Sequence, residues 1–434
     1  MPTKHNNKVY QPIKHPLKKI LNTYRHIEPA VLNLIFAEFC LQFINAAFFL
    51  LLNLYMLKCG YTDVQIAHYI SWRYVAVVLF AVPFGMYLRQ RRILPLMWAT
   101  AIILPILSLL LIQSIEQHFT TGIVSLAILW GGVFNLVGIP IVPYILRHAA
   151  PETRSEAIAL HTASWSSSQI IVGLSIAVLS GSLPNIFTDK LLLQLFSLLG
   201  LVALFFLSRI KITENIPNTH QDNNIPHTKQ AANYNWLLIA KASIPTLLVA
   251  IGAGLAIPFM NLFFYNSFGL DSTHFALLGM VTSFLVSFSV LFTPYIKNKM
   301  GYNAITATQL ASISMLILMG ITDFFNAYSL ALWVALLCYM LRQPLMNLAN
   351  PLTSEMTMYY VGKNNRELIS AIGSSIWSGS WFFSSQIFAW LRGLNLRYGS
   401  VFLITSGLYL VAVLLYMYLI NDFKRRQQAG LIEL

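Results

Sequence analysis

Three polar side chains sit inside the first long apolar block: Glu38, Gln42 and Asn45. Their spacing, four and then three, places them on one face of a helix. Polar groups facing lipid are costly, so this face is expected to turn into the protein. Glu38 is the carboxylate set well inside a predicted span. A carboxyl group held away from water can bind and release a proton near neutral pH, which makes Glu38 the candidate proton-coupling residue. A buried acid paired for structure is the plainer reading.

A second polar group lies in a later block. Arg342 has Gln343 beside it, Tyr339 one turn before, and Asn347 and Asn350 beyond. These side chains suit hydrogen bonding to a polar substrate, and equally suit contacts between helices. Asn135 belongs with them as a candidate substrate contact, because it occupies the position that matches Asn347 in the internal repeat described below. Arg73 is a further charge within an apolar block. His161 and Gln169 flank a serine cluster around Trp165. An imidazole can titrate near neutral pH, or serve only as a hydrogen-bonding group. The serines suit close helix packing.

The elements that must position these residues are membrane helices. The chain of 434 residues is 57% hydrophobic and 10% charged, against roughly 25% charged for a soluble domain. Its apolar residues form blocks of the length that crosses a bilayer, roughly 20 residues. Twelve helices are expected, over 30–57, 64–88, 93–112, 121–146, 156–180 and 191–208, then 236–264, 272–296, 304–321, 327–352, 368–391 and 400–420. The segment 209–235, rich in Asn, Thr, Pro and His, reads as a flexible linker. Residues 1–29 form a basic tail in which Leu17, Ile20, Leu21, Tyr24 and Ile27 recur at helical spacing, a pattern that suits a helix lying on the membrane surface as well as a solvated tail. The organisation is thus a tail over 1–29, a six-helix bundle over 30–208, the linker, a second bundle over 236–420, and a tail over 421–434.

The net charge of +13 is a topology signal rather than a nucleic-acid footprint. Of the 28 Lys and Arg residues, 21 lie in the two tails, the linker and alternate loops. Four lie in the opposite loops, and Arg73, Lys241 and Arg342 lie within helices. By the positive-inside rule both termini are cytoplasmic. The three cysteines, Cys40, Cys59 and Cys338, show neither a disulfide framework nor zinc spacing. No phosphate-binding GxxxxGK[ST], no HExxH and no GxSxG occurs, and the histidines lack metal-ligand spacing. No cofactor, metal or nucleic-acid partner is expected.

The two halves resemble each other. A shift of 212 positions lays Arg154 on Arg366, Ala159 on Ala371, Trp165 on Trp377, Ser166 on Ser378, Ser168 on Ser380, and Asn135 on Asn347. Near the start of each half NLYMLKCGYTDVQIA pairs with NLFFYNSFGLDSTHFA, so that Asn53 lies over Asn261 and, after one inserted residue, Gly60 over Gly269. A repeat of six helices keeps its orientation, the parallel type of transporter duplication. Asn53 and Asn261, at matching helix ends, read as capping or gating residues. Gly131, Gly132, Gly138 and Pro140 in the fourth span, and Gly252, Gly254 and Pro258 in the seventh, are candidate interruptions that bend a helix around a site or simply kink it for packing.

Several segments resemble the major facilitator superfamily, and in particular a bacterial branch of it. They are NLYMLKCGYTD closing the first helix, the basic loop RQRR after the second, the second-half opening IGAGLAIPFMNLFF, and LRQPLMNLANPLTSEMTMYYVGKNNRE. The loop PYIKNKMGY resembles the family's Gly-x-x-x-Asp-Arg-x-Gly-Arg motif. Lys299 and Gly301 fit it, while Pro294 and Asn298 replace its Gly and Asp. The first-half version, GMYLRQRR, keeps Gly85 but has Arg89 where the acid belongs. The resemblance implies two six-helix bundles that rock about a central cavity lined by helices 1, 4, 7 and 10, in a protein working as a monomer in the cell (inner or plasma) membrane. It also implies a gating or structural role for Lys299, and for Arg73 on a helix peripheral to the cavity; His161 joins them as a gating or structural charge.

The expected function is secondary transport of a small organic solute by alternating access, coupled to protons through Glu38. Efflux of amphipathic compounds is favoured over uptake of a polar solute such as a sugar or organic acid. A membrane-embedded enzyme and a substrate sensor on a transporter scaffold are the readings of another class. At 1.5 Å per residue, Glu38 and Arg342 lie about 12 and 15 Å from the cytoplasmic ends of their predicted helices. A Glu38–Arg342 ion pair across the cavity in one conformation is therefore expected, with pairing inside each half as its competitor.

Overall fold

The computed structural model describes residues 26–88, 91–150, 153–211, 235–362 and 366–430. The expected surface helix over 17–27, the linker over 212–234, Arg89 and the last four residues lie outside them, apart from residues 26 and 27. The described residues are helical, with no strand among them. In hydrocarbon the backbone must satisfy its own hydrogen bonds, and the helix does so within one segment.

The first half runs α1 (Pro29–Lys58), α2 (Asp63–Leu88), α3 (Leu94–Glu116), α4 (Thr120–Gly138), α5 (Ile141–His148), α6 (Arg154–Ser182), α7 (Asp189–Leu199) and α8 (Val202–Ser208). The second runs α9 (Trp236–Ala256), α10 (Met260–Phe268), α11 (Ser272–Val290), α12 (Thr293–Met300), α13 (Asn303–Thr322), α14 (Ser329–Val361), α15 (Arg366–Gly393) and α16 (Tyr398–Gln428). Joining α4 to α5, α7 to α8 and α9 to α10, ten helical segments are long and apolar enough to cross a membrane. The chain is a multi-pass membrane protein. Large apolar side chains such as Leu291, Leu330 and Trp333 are exposed, as a surface against lipid requires.

Two further long helices, α2 and α15, face each other across the halves. His68 Nδ1 lies 3.2 Å from Gln386 Oε1, and Gln386 donates to Ser71 Oγ at 2.6 Å. The corresponding contact from the other side is α6 against α11. It is close because Gly173 lies on the carbonyl of Ala276, which a Cβ there would approach to 2.8 Å. Within the halves, α1 packs on α6, α7 and α8, α2 on α4, α13 on α14 and α16, and α9 on α15 and α16.

The predicted interruptions divide into real breaks and packing sites. The seventh span breaks at Pro258, where a 3-10 turn over Ile257–Phe259 separates α9 from α10. Gly252 and Gly254 instead stay helical and make room for Tyr409 and Ser384. The fourth span breaks at Ile139 and Pro140. Gly131 remains inside α4, where it lets α2 approach. A Cβ there would lie 1.8 Å from the carbonyl oxygen of Arg73. Gly132 faces Ala76 at an ordinary 3.4 Å. Gly131→Ala should therefore cost about 2 kcal/mol or more by overpacking, lowering Tm in detergent by several degrees, while Gly132→Ala leaves it nearly unchanged. Equal Tm values for the two variants would contradict this packing.

Two ends run on past their expected limits. The tenth span was expected to end at Leu352, but α14 continues to Val361, carrying Pro344 and Pro351 inside it. Its polar last turns are held by Glu355, which meets Lys297 Nζ at 2.5 Å. The tail expected from residue 421 is helical to Gln428, with Arg426 bonded to Asp422 one turn before it.

Candidate functional site

A cavity of about 760 Å³ lies between the halves. Such a volume suits a small organic molecule. Its first-half wall comes from α1, α2, α4 and α6, and its second-half wall from α11, α14 and α15. Glu38, Gln42 and Asn45 share it, as their spacing implies. So do Asn135, Arg73, His161 and Asn347. Arg73 is thus not on a peripheral helix, because Gly131 draws α2 against α4 and brings the arginine to the cavity wall. The α9–α10 rod stays out of this wall and lines a smaller recess of about 310 Å³ through Ala253 and Ile257. That recess also holds Gln343, and shares Asn347 and Trp377 with the main cavity.

Glu38 is 1% exposed and its Oε2 lies 2.7 Å from His161 Nδ1. His161 comes from α6, which packs along α1. Gln42 donates weakly to the other carboxylate oxygen at 3.5 Å, and its own carbonyl oxygen finds no partner. The pair forms an acid–imidazole dyad with its imidazole edge partly open to the cavity. His161, expected only as a gating or structural charge, is the direct partner of Glu38. Nothing in the spacing points to this, since the residues are 123 positions apart.

Arg73 stacks its guanidinium 4.0 Å from the ring centre of Trp130 and 5.7 Å from that of Phe48. Trp130 is itself fixed. It donates to Ser108 Oγ at 2.8 Å and stacks with Phe48 and with Phe134. Arg73 Nε is enclosed without a hydrogen-bond partner, as is Asn135 Nδ2.

Arg342 is 1% exposed and donates from one terminal nitrogen to Tyr409 Oη at 3.4 Å, while its Nε and other terminal nitrogen find no partner. Tyr339 is buried against Phe264 and Phe275 rather than facing the cavity. The expected Glu38–Arg342 pair is not made in this conformation. Glu38 is paired inside its own half, and Arg342 is turned toward α16. Because α14 extends past Leu352, counting from its predicted end did not fix the depth of Arg342. Lys299 lies at the exposed end of α12, and the ion pair at this loop is made by Lys297.

The halves meet through polar contacts at the end where α1 finishes and α16 begins. Asn53 donates to Asn261 Oδ1 at 3.0 Å and to the Pro258 carbonyl at 2.6 Å. Lys58 pairs with Asp189 at 2.6 Å and donates to Ser272 at 3.3 Å. Asp63 accepts from Arg392 at 2.7 Å, from Tyr398 at 2.5 Å and from Asn266 at 3.2 Å. At the opposite end Glu28 ties α1 to the start of α6 within the first half, through Ala150 N and Thr153 Oγ1.

No curated protein matches the chain by sequence. Among solved structures, a bacterial homologue of the iron transporter ferroportin in its inward-facing state is similar at a TM-score of 0.69 and 13% identity, over 90% of this chain and 98% of that one. A D-xylose–proton symporter gives 0.68 and 13%, over 89% and 95%. A variant of the nucleoside transporter NupG gives 0.68 and 15%, over 90% and 99%. At these identities the likeness is one of fold. The sequence profile of the Major Facilitator Superfamily matches residues 34–385. With that match spanning most of the chain, over the same helices that enclose the cavity, the protein belongs to the Major Facilitator Superfamily of transporters.

Proposed function

We propose that the protein is a secondary active transporter of twelve spans in two six-helix bundles, which exports a small amphipathic solute by alternating access driven by protons. The Glu38–His161 dyad on the cavity wall carries this reading. It is a protonatable pair placed where a solute would sit, in a chain whose family transports small molecules across membranes. Glu38 is the proton-coupling residue and His161 its positioning partner. Gln42, Asn45, Asn135, Gln343 and Asn347 supply hydrogen bonds to the solute. Arg342 and Tyr339 support α14.

The contacts between the halves support both the duplication and the conformation. In the repeat, Asn53 corresponds to Asn261, Lys58 to Asn266, and Asp63 to Ser272. Asn53 touches Asn261, Lys58 touches Ser272, and Asp63 touches Asn266. Each residue meets the equivalent of its partner's partner, the signature of a two-fold relation between halves. The Asn53–Asn261 contact marks the axis. With both termini cytoplasmic, these contacts close the outer end and the cavity faces the cytoplasm.

The topology has a direct check. A single cysteine placed in the 212–234 linker of a cysteine-free variant should resist a membrane-impermeant maleimide on intact cells, and react once the membrane is opened. Labelling on intact cells would overturn the topology. The transport reading is tested by reconstitution. An imposed pH gradient should drive solute against its concentration gradient, and its direction separates export from uptake.

A further inference from the structure

We infer that the solute is an organic anion with an aromatic or otherwise apolar body, and that Arg73 is the residue that holds its acidic group. The inference rests on the transporter reading and specifies its substrate class.

Besides the phenol of Tyr74, three charged or titratable side chains reach the main cavity among the described residues: Glu38, His161 and Arg73. Glu38 and His161 are 2.7 Å apart and serve each other. Arg73 stands apart from that pair. It makes no ion pair with a carboxylate among the described residues; its contacts are the Trp130 and Phe48 rings. A guanidinium is always charged in a protein, and a charge held in a membrane interior is costly unless something pairs with it. A solute anion supplies that pairing.

The geometry suits the role. The guanidinium carbon lies 4.0 Å from the Trp130 ring centre, and the in-plane N–H edge of a guanidinium matches a carboxylate through two parallel hydrogen bonds. Arg73 Nε is enclosed and unpartnered. The ring beneath is locked by Phe48, Phe134 and the Ser108 bond, so the fork is held in place before the solute arrives, which lowers the ordering cost of binding. Asn135, also with an unpartnered amide nitrogen on this wall, offers a further donor. The wall also carries the rings of Phe49, Phe134, Trp165, Trp377 and Trp381. An acid carried on a ring system fits both features. A cation meets Arg73 with repulsion, and a sugar leaves the aromatic wall unused.

The test uses matched triples of aromatic compounds of several sizes, each as carboxylate, primary amide and methylammonium, beginning with 2-naphthoate, 2-naphthamide and 2-naphthylmethylammonium. Binding to the purified full-length protein is followed by Tm and by quenching of tryptophan fluorescence. At least one carboxylate should bind ten-fold or more tightly than its amide and ammonium partners. Arg73→Gln should remove that preference, and Arg73→Lys, which keeps the charge but not the fork, should restore part of it. The wild-type preference stands as a test even if Arg73→Gln fails to fold. No carboxylate preference anywhere in the panel, or a preference unchanged in Arg73→Gln, overturns the inference. Flux in proteoliposomes separates the two levels. Transport of ammonium or amide members without the acids refutes the anion assignment alone, whereas tight carboxylate binding without flux in either direction refutes the transporter reading.

Discussion

Glu38→Gln is expected to reduce uphill, proton-driven transport to the level of protein-free vesicles while solute exchange between the two sides continues. Gln keeps the size and hydrogen-bonding capacity of the protonated acid but cannot release a proton. Exchange requires only that the loaded cavity open to each side in turn, whereas net driven movement requires Glu38 to load and discharge. The contact with His161 sharpens the expectation. With Gln at position 38 the imidazole loses the carboxylate now 2.7 Å away. His161→Gln should give a partial defect, because Glu38 remains but loses its closest hydrogen-bond partner. Uphill transport by Glu38→Gln with an unaltered pH profile would remove Glu38 from the coupling role.

The second large effect is expected at the far end of the molecule. Asp63 gathers Arg392, Tyr398 and Asn266 from the second half onto one carboxylate. Asp63→Asn removes the charge and leaves the Arg392 guanidinium, about one-fifth exposed, without its acid. Truncating one partner of such a pair costs about 2 kcal/mol after allowance for its partial exposure, roughly a 30-fold shift in the balance between open and closed ends. The closed outer end should lose that stability and the outward-open form should gain in population. Pulsed electron–electron distances between spin labels near the starts of α2 and α16 should lengthen in Asp63→Asn. The swap Asp63→Arg with Arg392→Asp should recover part of the short distance. Unchanged distances in the single variant would show that Asn53 and Lys58 suffice to hold this end closed.

Much of this architecture was legible in the sequence because bilayer thickness sets the length of each apolar block. The polar face of α1 was legible for the same reason, since Glu38, Gln42 and Asn45 have no acceptable place against lipid. The repeat brought Asn53 and Asn261 into one comparison, though not into contact. What escaped were facts about which helix lies against which. The Glu38–His161 bond joins helices far apart in sequence, and the serine cluster beside His161 suggested only packing. Arg73 reached the cavity through the missing side chain of Gly131 on another helix, a negative feature that composition does not reveal. The polar neighbours of Arg342 in sequence gave no sign of Tyr409, the partner to which α14 turns it. The run to Val361 was missed because its last turns are polar, and length estimates drawn from hydropathy stop where polarity begins.

The break at Pro258 bears on how the outer end parts. A proline-broken helix leaves a backbone carbonyl without its partner one turn away, and the carbonyl of Pro258 itself accepts from Asn53 of the other half at 2.6 Å. Once the halves separate, donor and acceptor part company, and no lipid can replace either. Both the amide and the carbonyl must then be met by water. On the proposed alternating-access cycle, opening of this end would therefore be a wetting transition as well as a hinge motion, with water taking over the hydrogen bond between Asn53 and Pro258.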